Sequence, residues 1–130
     1  MVHAAGVDII EVGRVKQVID RWGERFLRRV FTPWEIAYCQ EKKLPQFSFA
    51  ARFAAKEATL KAIGRGLSGG VRWTSIEVVA DRAGSPSIRL GQKIQRLVGE
   101  KEIKISMSHT KEYAIAVALL VDRETYTRNL

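Results

Sequence analysis

The chain has 130 residues, 22 basic against 14 acidic, so its formal charge is +8 and its surface should attract something anionic. That length suits one domain over residues 1–130 that takes roughly two thirds of its unfolded surface out of water, while the lone Cys39 excludes an intramolecular disulfide or a cysteine metal cluster. With no leader-like segment, and with its longest apolar run, Tyr113 to Val121, far below the ~20 residues of a membrane helix, we expect a cytoplasmic protein without membrane association.

His3 to Ile10 reads as a short buried strand, since β-branched residues dominate its Gly-Val-Asp-Ile-Ile end. Asp8 interrupts it. Its carboxylate is either a cap where the strand ends or a group held by pairing, hydrogen bonds or a cation. Val12 to about Val30 has helical periodicity, with Val15, Val18, Ile19, Trp22 and Phe26 on the core side. Arg14, Arg21, Arg25 and Arg28 fall in one narrow sector of that helix at about 100° per residue, as a solvated face or a docking surface for an acidic partner. Thr32, Pro33 and Glu35 form a strong helix start with a capping box. That helix should run to about Lys42, burying Trp34, Ile36 or Ala37, and Cys39 as packing rather than as a nucleophile, and Pro45 ends it.

Phe47 to Ile63, stopped by Gly64, reads as the central helix. Phe49, Phe53, Leu60 and Ile63 make its apolar stripe. Lys56 lies inside that stripe and needs an anionic group nearby. Glu57 and Lys61, four positions apart, share a neighbouring face with Ala50 and Ala54, as a solvated ion pair or as site residues. The stretch Gly64 to Gly70 matches no phosphate loop and reads as a connector. Arg72 to Asp81 and Ser87 to Leu90 should form a hairpin about the turn Ala83-Gly-Ser-Pro86, followed by a short helix, Gln92 to Val98, ended by Gly99. Ile103 to Thr110 and Tyr113 to Val121 read as two strands whose tight connection displays His109, as bystander or ligand. Asp122 to Leu130 reads as a frayed end.

In this order the residues resemble the holo-acyl-carrier-protein synthase family, the compact group of 4'-phosphopantetheinyl transferases. Gly6-Val-Asp-Ile-Ile10 is similar to its first motif. Arg52-Phe-Ala-Ala-Lys-Glu-Ala58 with Lys61-Ala62 is similar to its central motif, and Ile105-Ser-Met-Ser-His-Thr110 to its last. Arg29, Phe31-Thr32 with Glu35, and Gly84-Ser-Pro86 extend the likeness over nearly the whole chain. Phe53 and Ala51 stand where many relatives carry Trp and Gly, changes that keep apolar or small character.

The resemblance implies an α+β fold, the 4'-phosphopantetheinyl transferase fold, with an antiparallel sheet packed on helices and a homotrimer whose sites lie between subunits. It implies transfer of the phosphopantetheine arm of coenzyme A to a serine of an apo acyl carrier protein, with release of 3',5'-ADP. Asp8 and Glu57 match the metal-binding positions for Mg²⁺, with Mn²⁺ as an alternative. Glu57, directly or through a metal-bound water, would take the serine proton, and Lys61 would stabilise leaving-group charge. Arg52, His109 and Thr110 would hold the nucleotide end of coenzyme A, with the Gly84-Ser85-Pro86 turn against adenine. Arg14, Arg21, Arg25 and Arg28 would steer the acidic carrier protein. Two rivals are a nucleic-acid-binding module, favoured only by charge and scattered aromatics, and a catalytically silent scaffold, disfavoured by the acid at Asp8.

Overall fold

A computed structural model describes residues 1–123; of the end expected to fray from Asp122, Asp122 itself is ordered as the last residue of a paired strand, and residues 124–130 lie outside the described residues. In chain order the elements are β1 (Val2–Glu11), α1 (Val12–Trp22), α2 (Glu24–Val30), α3 (Pro33–Gln40), α4 (Pro45–Ile63), β2 (Ile76–Ala80), β3 (Pro86–Leu90), α5 (Gln92–Val98), β4 (Lys101–His109) and β5 (Tyr113–Asp122). The fold is α+β. Its strands form two antiparallel sheets, one ordered β1-β5-β4 and one of β2 with β3.

The central helix α4 lies over β1 and β5. Pro45 occupies its first turn, where a missing N–H costs nothing, so Pro45 starts α4 as well as following α3. The contact is built from small residues: Ala54, Ala55, Ala58 and Ala62 of α4 meet Ala116 and Ala118 of β5. Gly6, opposite Ala118, completes it. A Cβ there would stand 2.0 Å from the Ala58 carbonyl oxygen and 2.8 Å from the Ala62 nitrogen, so only glycine allows this approach. Strand alternation then turns Gly6, Asp8 and Ile10 toward α4 and sends Val7 and Ile9 outward. Outside, Val7 is 54% and Ile9 61% exposed, opposite the exposed Val117 and Ile115.

Several expectations need correction. The strand expected to be buried over His3 to Ile10 is covered on one face only, because Val7 and Ile9 point away from α4. The helix expected over Val12 to Val30 is two helices, broken at Gly23, whose φ of 55° leaves the right-handed region. Trp22 is half exposed beneath Arg21, and Trp34 is exposed, stacked on Tyr38. The strand expected from Arg72 begins only at Ile76, after a turn of 3₁₀ helix at Trp73–Ser75. Cys39 is buried, and burial pushes its thiol up, as packing rather than chemistry requires.

Candidate active site

Asp8, at the α4 face of β1, meets Glu57 and Lys61 on the second half of α4. Lys61 Nζ donates to Asp8 Oδ1 at 3.0 Å and to the Val7 carbonyl at 3.1 Å, so its partner is the strand acid rather than Glu57 one turn back. The other Asp8 oxygen, Oδ2, is buried with no hydrogen-bond partner among the described residues. An orphaned buried acceptor of this kind costs about 1–3 kcal/mol. Burial foremost, and then the nearby Asp8, push the Glu57 carboxyl up, with Lys61 opposing. Two hard carboxylates, one with an unmet oxygen, fit a divalent cation of the Mg²⁺ type, which takes one or two carboxylates and completes its shell with phosphate and water. No cluster of three or more His, Cys, Asp or Glu occurs among the described residues, so the protein would supply only part of such a shell.

A second group surrounds a cleft of about 480 Å³ between α3, α4, the tip of the β2–β3 hairpin and the end of β4. Arg52, Gly84, Pro86 and His109 line it. Arg52 is only 5% exposed: Nη1 donates to Ser48 Oγ at 2.8 Å, the guanidinium sits 4.5 Å from the Tyr38 ring centre, and Nε has no partner among the described residues. His109 stacks on Phe47 with ring centres 5.1 Å apart. Lys42 and Lys43 add two cations to the rim. Their sequence signal, a basic pair just after a helix, is too common to have singled them out.

Ser85 and Thr110 do not line the cleft; they shape its turns. Ser85 N–H donates to Asp81 Oδ1 at 2.9 Å, and Thr110 Oγ1 accepts from Tyr113 N–H at 3.1 Å. Lys56 joins neither group. It is wholly buried against Glu35, at 2.7 Å.

The two groups lie on opposite sides of α4. Asp8 is on β1 and His109 on β4, with β5 between them, a separation of two strand spacings of about 4.8 Å each. Arg52 and Lys61, nine positions apart, point about 180° from one another around the helix. One copy of the chain therefore carries the acid cluster and the basic cleft on different flanks.

The four arginines are likewise divided. Arg14 borders a smaller apolar cleft of about 410 Å³ with Val18, Phe26 and Phe53. Arg28 pairs with Glu24 at 3.2 Å on α2, beyond the break at Gly23, so the single straight stripe does not exist.

A family model described as the 4'-phosphopantetheinyl transferase superfamily matches residues 4–118. The chain belongs to this superfamily. Among its curated relatives, the holo-[acyl-carrier-protein] synthase of Koribacter versatilis is 46% identical over 125 residues, 94% of this chain and 100% of that protein. A Bacillus anthracis holo-(acyl-carrier-protein) synthase, solved in complex with CoA (3',5'-ADP), superposes with a TM-score of 0.80 at 33% identity, covering 95% of this chain and 99% of that one. The Helicobacter pylori synthase, solved with coenzyme A, gives 0.81 at 29% identity over 89% and 98%. Beside that membership, this chain carries a cleft rimmed by Lys42, Lys43 and Arg52 and a separate acid cluster of Asp8 and Glu57 with Lys61. No helix among the described residues is long and apolar enough to cross a membrane.

Proposed function

We propose that this chain transfers the 4'-phosphopantetheine arm of coenzyme A to a serine of an apo acyl carrier protein, releasing 3',5'-ADP and leaving holo carrier protein for fatty acid synthesis. The observation that carries this reading is the orphaned Asp8 oxygen beside Glu57 and Lys61, in a member of the superfamily that also has a cationic cleft. The cytoplasm, where Cys39 would stay reduced, is the expected place of work, and residues 1–130 act as one catalytic domain.

The cleft takes the nucleotide end of coenzyme A. Lys42, Lys43 and the guanidinium of Arg52 meet its 3'-phosphate, Gly84 and Pro86 lie against adenine, and His109 closes the far side. The Ser85 and Thr110 turns hold these groups in place. A cation such as Mg²⁺ or Mn²⁺, held by Asp8 and Glu57, would offset the negative charge of the diphosphate. The carrier serine oxygen bonds to the phosphorus bearing pantetheine, the bridging P–O bond breaks, and 3',5'-ADP departs. The serine proton passes to Glu57 as general base. Lys61 stabilises charge on the leaving phosphate. Incubation with apo carrier, coenzyme A and Mg²⁺ should add one phosphopantetheine to the carrier's intact mass, and a chelator should abolish the gain; a folded enzyme that modifies no carrier tested would end this reading.

Because the two half-sites sit on opposite flanks of α4, a complete site needs two copies, and a homotrimer supplies this. The outward row of Val7, Ile9, Ile115 and Val117, all exposed, supports burial between subunits. A test follows from counting. Asp8→Ala and Arg52→Ala chains are each inactive alone; unfolded together and reassembled at equal amounts, they should regain about a quarter of wild-type activity, because one interface in four draws both half-sites intact. No recovery in confirmed mixed trimers would mean that each chain completes its own site.

The carrier docks beside Arg14 and Arg21, near the start of the helix that follows Asp8, and Arg25 and Arg28 extend the basic field onto α2. Reversing Arg14 and Arg21 to Glu should raise KM for carrier protein by about tenfold or more with kcat retained, and the effect should shrink in high salt. Equal carrier KM at low salt would move the docking face elsewhere.

A further inference from the structure

Lys56 and Glu35 are both fully buried, and neither takes part in the chemistry above. All three N–H donors of Lys56 are met within the protein: Glu35 Oε1 and the Val30 carbonyl at 2.7 Å each, and the Trp73 carbonyl at 3.1 Å. That satisfaction and its zero exposure keep Lys56 from touching a substrate. Glu35 is equally engaged. Its Oε1 also accepts from Thr32 N–H at 2.8 Å, closing the capping box of α3, and its Oε2 accepts from Val78 N–H at 2.7 Å. One ion pair thus ties the end of α2, the start of α3, the middle of α4, the Trp73 turn and strand β2.

The bond to Val78 matters most. The β2–β3 hairpin is a separate sheet with no ladder to the three-stranded one, so no backbone pairing fixes its distance from α4. Val78 packs on the alanines of α4, but apolar contact is non-directional and permits sliding. A carboxylate accepting one particular N–H does not. Ala80, two residues beyond Val78, lines the cleft with Gly84 and Pro86 of the hairpin tip, and Arg52 lines it from α4 one turn before Lys56.

We propose that the buried Lys56–Glu35 pair is a positioning device for coenzyme A recognition, setting the gap between the β2–β3 hairpin and α4 across which the nucleotide is gripped. This rests on the cleft being the coenzyme A site. It assigns Lys56 a role distinct from its neighbour Glu57, and gives Glu35 a second task beyond its cap.

The test is a double variant, Lys56→Met with Glu35→Gln, which removes both charges at similar volume and leaves no buried charge uncompensated. Wild-type protein titrated calorimetrically with 3',5'-ADP checks the cleft itself: failure to bind overturns the site assignment and this proposal with it. Given binding, the folded double variant should show KM for coenzyme A and Kd for 3',5'-ADP raised by about tenfold, with kcat at saturating coenzyme A and KM for carrier protein near wild type. Unchanged KM and Kd would reduce the pair to a stabilising role, and a fall in kcat alone would place Lys56 in the chemistry; either overturns the proposal. Should the double variant not fold, Glu35→Asp keeps both charges but draws the carboxylate back from Val78, and the same rise in coenzyme A KM, or its absence, decides.

Discussion

Replacing Asp8 with Ala should yield a folded protein whose transfer activity has fallen by about 10³-fold, the scale of losing one preorganised group that offsets charge in a transition state. Stability should not suffer. Oδ2 of Asp8 is buried without a partner among the described residues, so its removal deletes an unmet acceptor, and Lys61, half exposed, loses only a weak ion pair. The substitution also acts on Glu57. Asp8 is the second cause, after burial, that pushes the Glu57 carboxyl up, so without it Glu57 should titrate at lower pH. The sign for stability agrees: an acid whose proton is held more tightly in the folded state destabilises the fold once pH exceeds its unfolded pKa, so relieving that shift stabilises near neutrality. Thermal midpoint, residual turnover and a titration of Glu57 by carbon NMR in metal-free protein read these effects separately. A midpoint that collapses together with activity would make Asp8 a structural acid. Retained turnover would remove it from the reaction.

Much of this site was legible because its motifs are local. Gly6-Val-Asp8 and the Glu57-Lys61 spacing each lie within one element, and the periods of strand and helix turn those residues to one face. Glu35 was legible only in part. Its capping box spans three positions and can be read directly, whereas its bond to Lys56 joins residues 21 positions apart and exists only once α3 packs on α4. The same carboxylate serves both, so the local reading was complete in itself and concealed the other. Lys42 and Lys43 carried no signal, since a basic pair after a helix becomes a binding rim only when the hairpin tip folds against it. The break at Gly23 was hidden for the opposite reason: hydrophobic periodicity runs through it, and a single interior glycine costs a helix only ~1 kcal/mol, too little to announce a boundary. The opposite flanks of the two half-sites depended on the strand order β1-β5-β4, which no local pattern encodes.

Gly6→Ala should be the most damaging single methyl group in the chain. Its Cβ would lie 2.0 Å from the Ala58 carbonyl oxygen and 2.8 Å from the Ala62 nitrogen, and both are backbone atoms of a buried helix that cannot rotate away as a side chain would. Either β1 lifts or α4 shifts along the alanine seam, and the overpacking should cost about 3 kcal/mol. For a domain of this size that lowers the thermal midpoint by about 10 °C. Function should fall further than stability explains. Asp8 is two residues along the same strand and faces the same helix, so displacing β1 moves Asp8 from Glu57 and Lys61, and a shift of about 1 Å there should cost roughly 10²-fold in turnover of the folded protein. Gly13 provides the internal control. Nothing lies within 4 Å of a Cβ at Gly13, in the first turn of α1, so Gly13→Ala should be neutral or stabilising by up to ~1 kcal/mol through helix propensity. If Gly6→Ala melts and turns over like Gly13→Ala, then β1 does not press on α4 as closely as described, and the seat of Asp8 would have to be sought in the side chains around it rather than in the glycine two residues before.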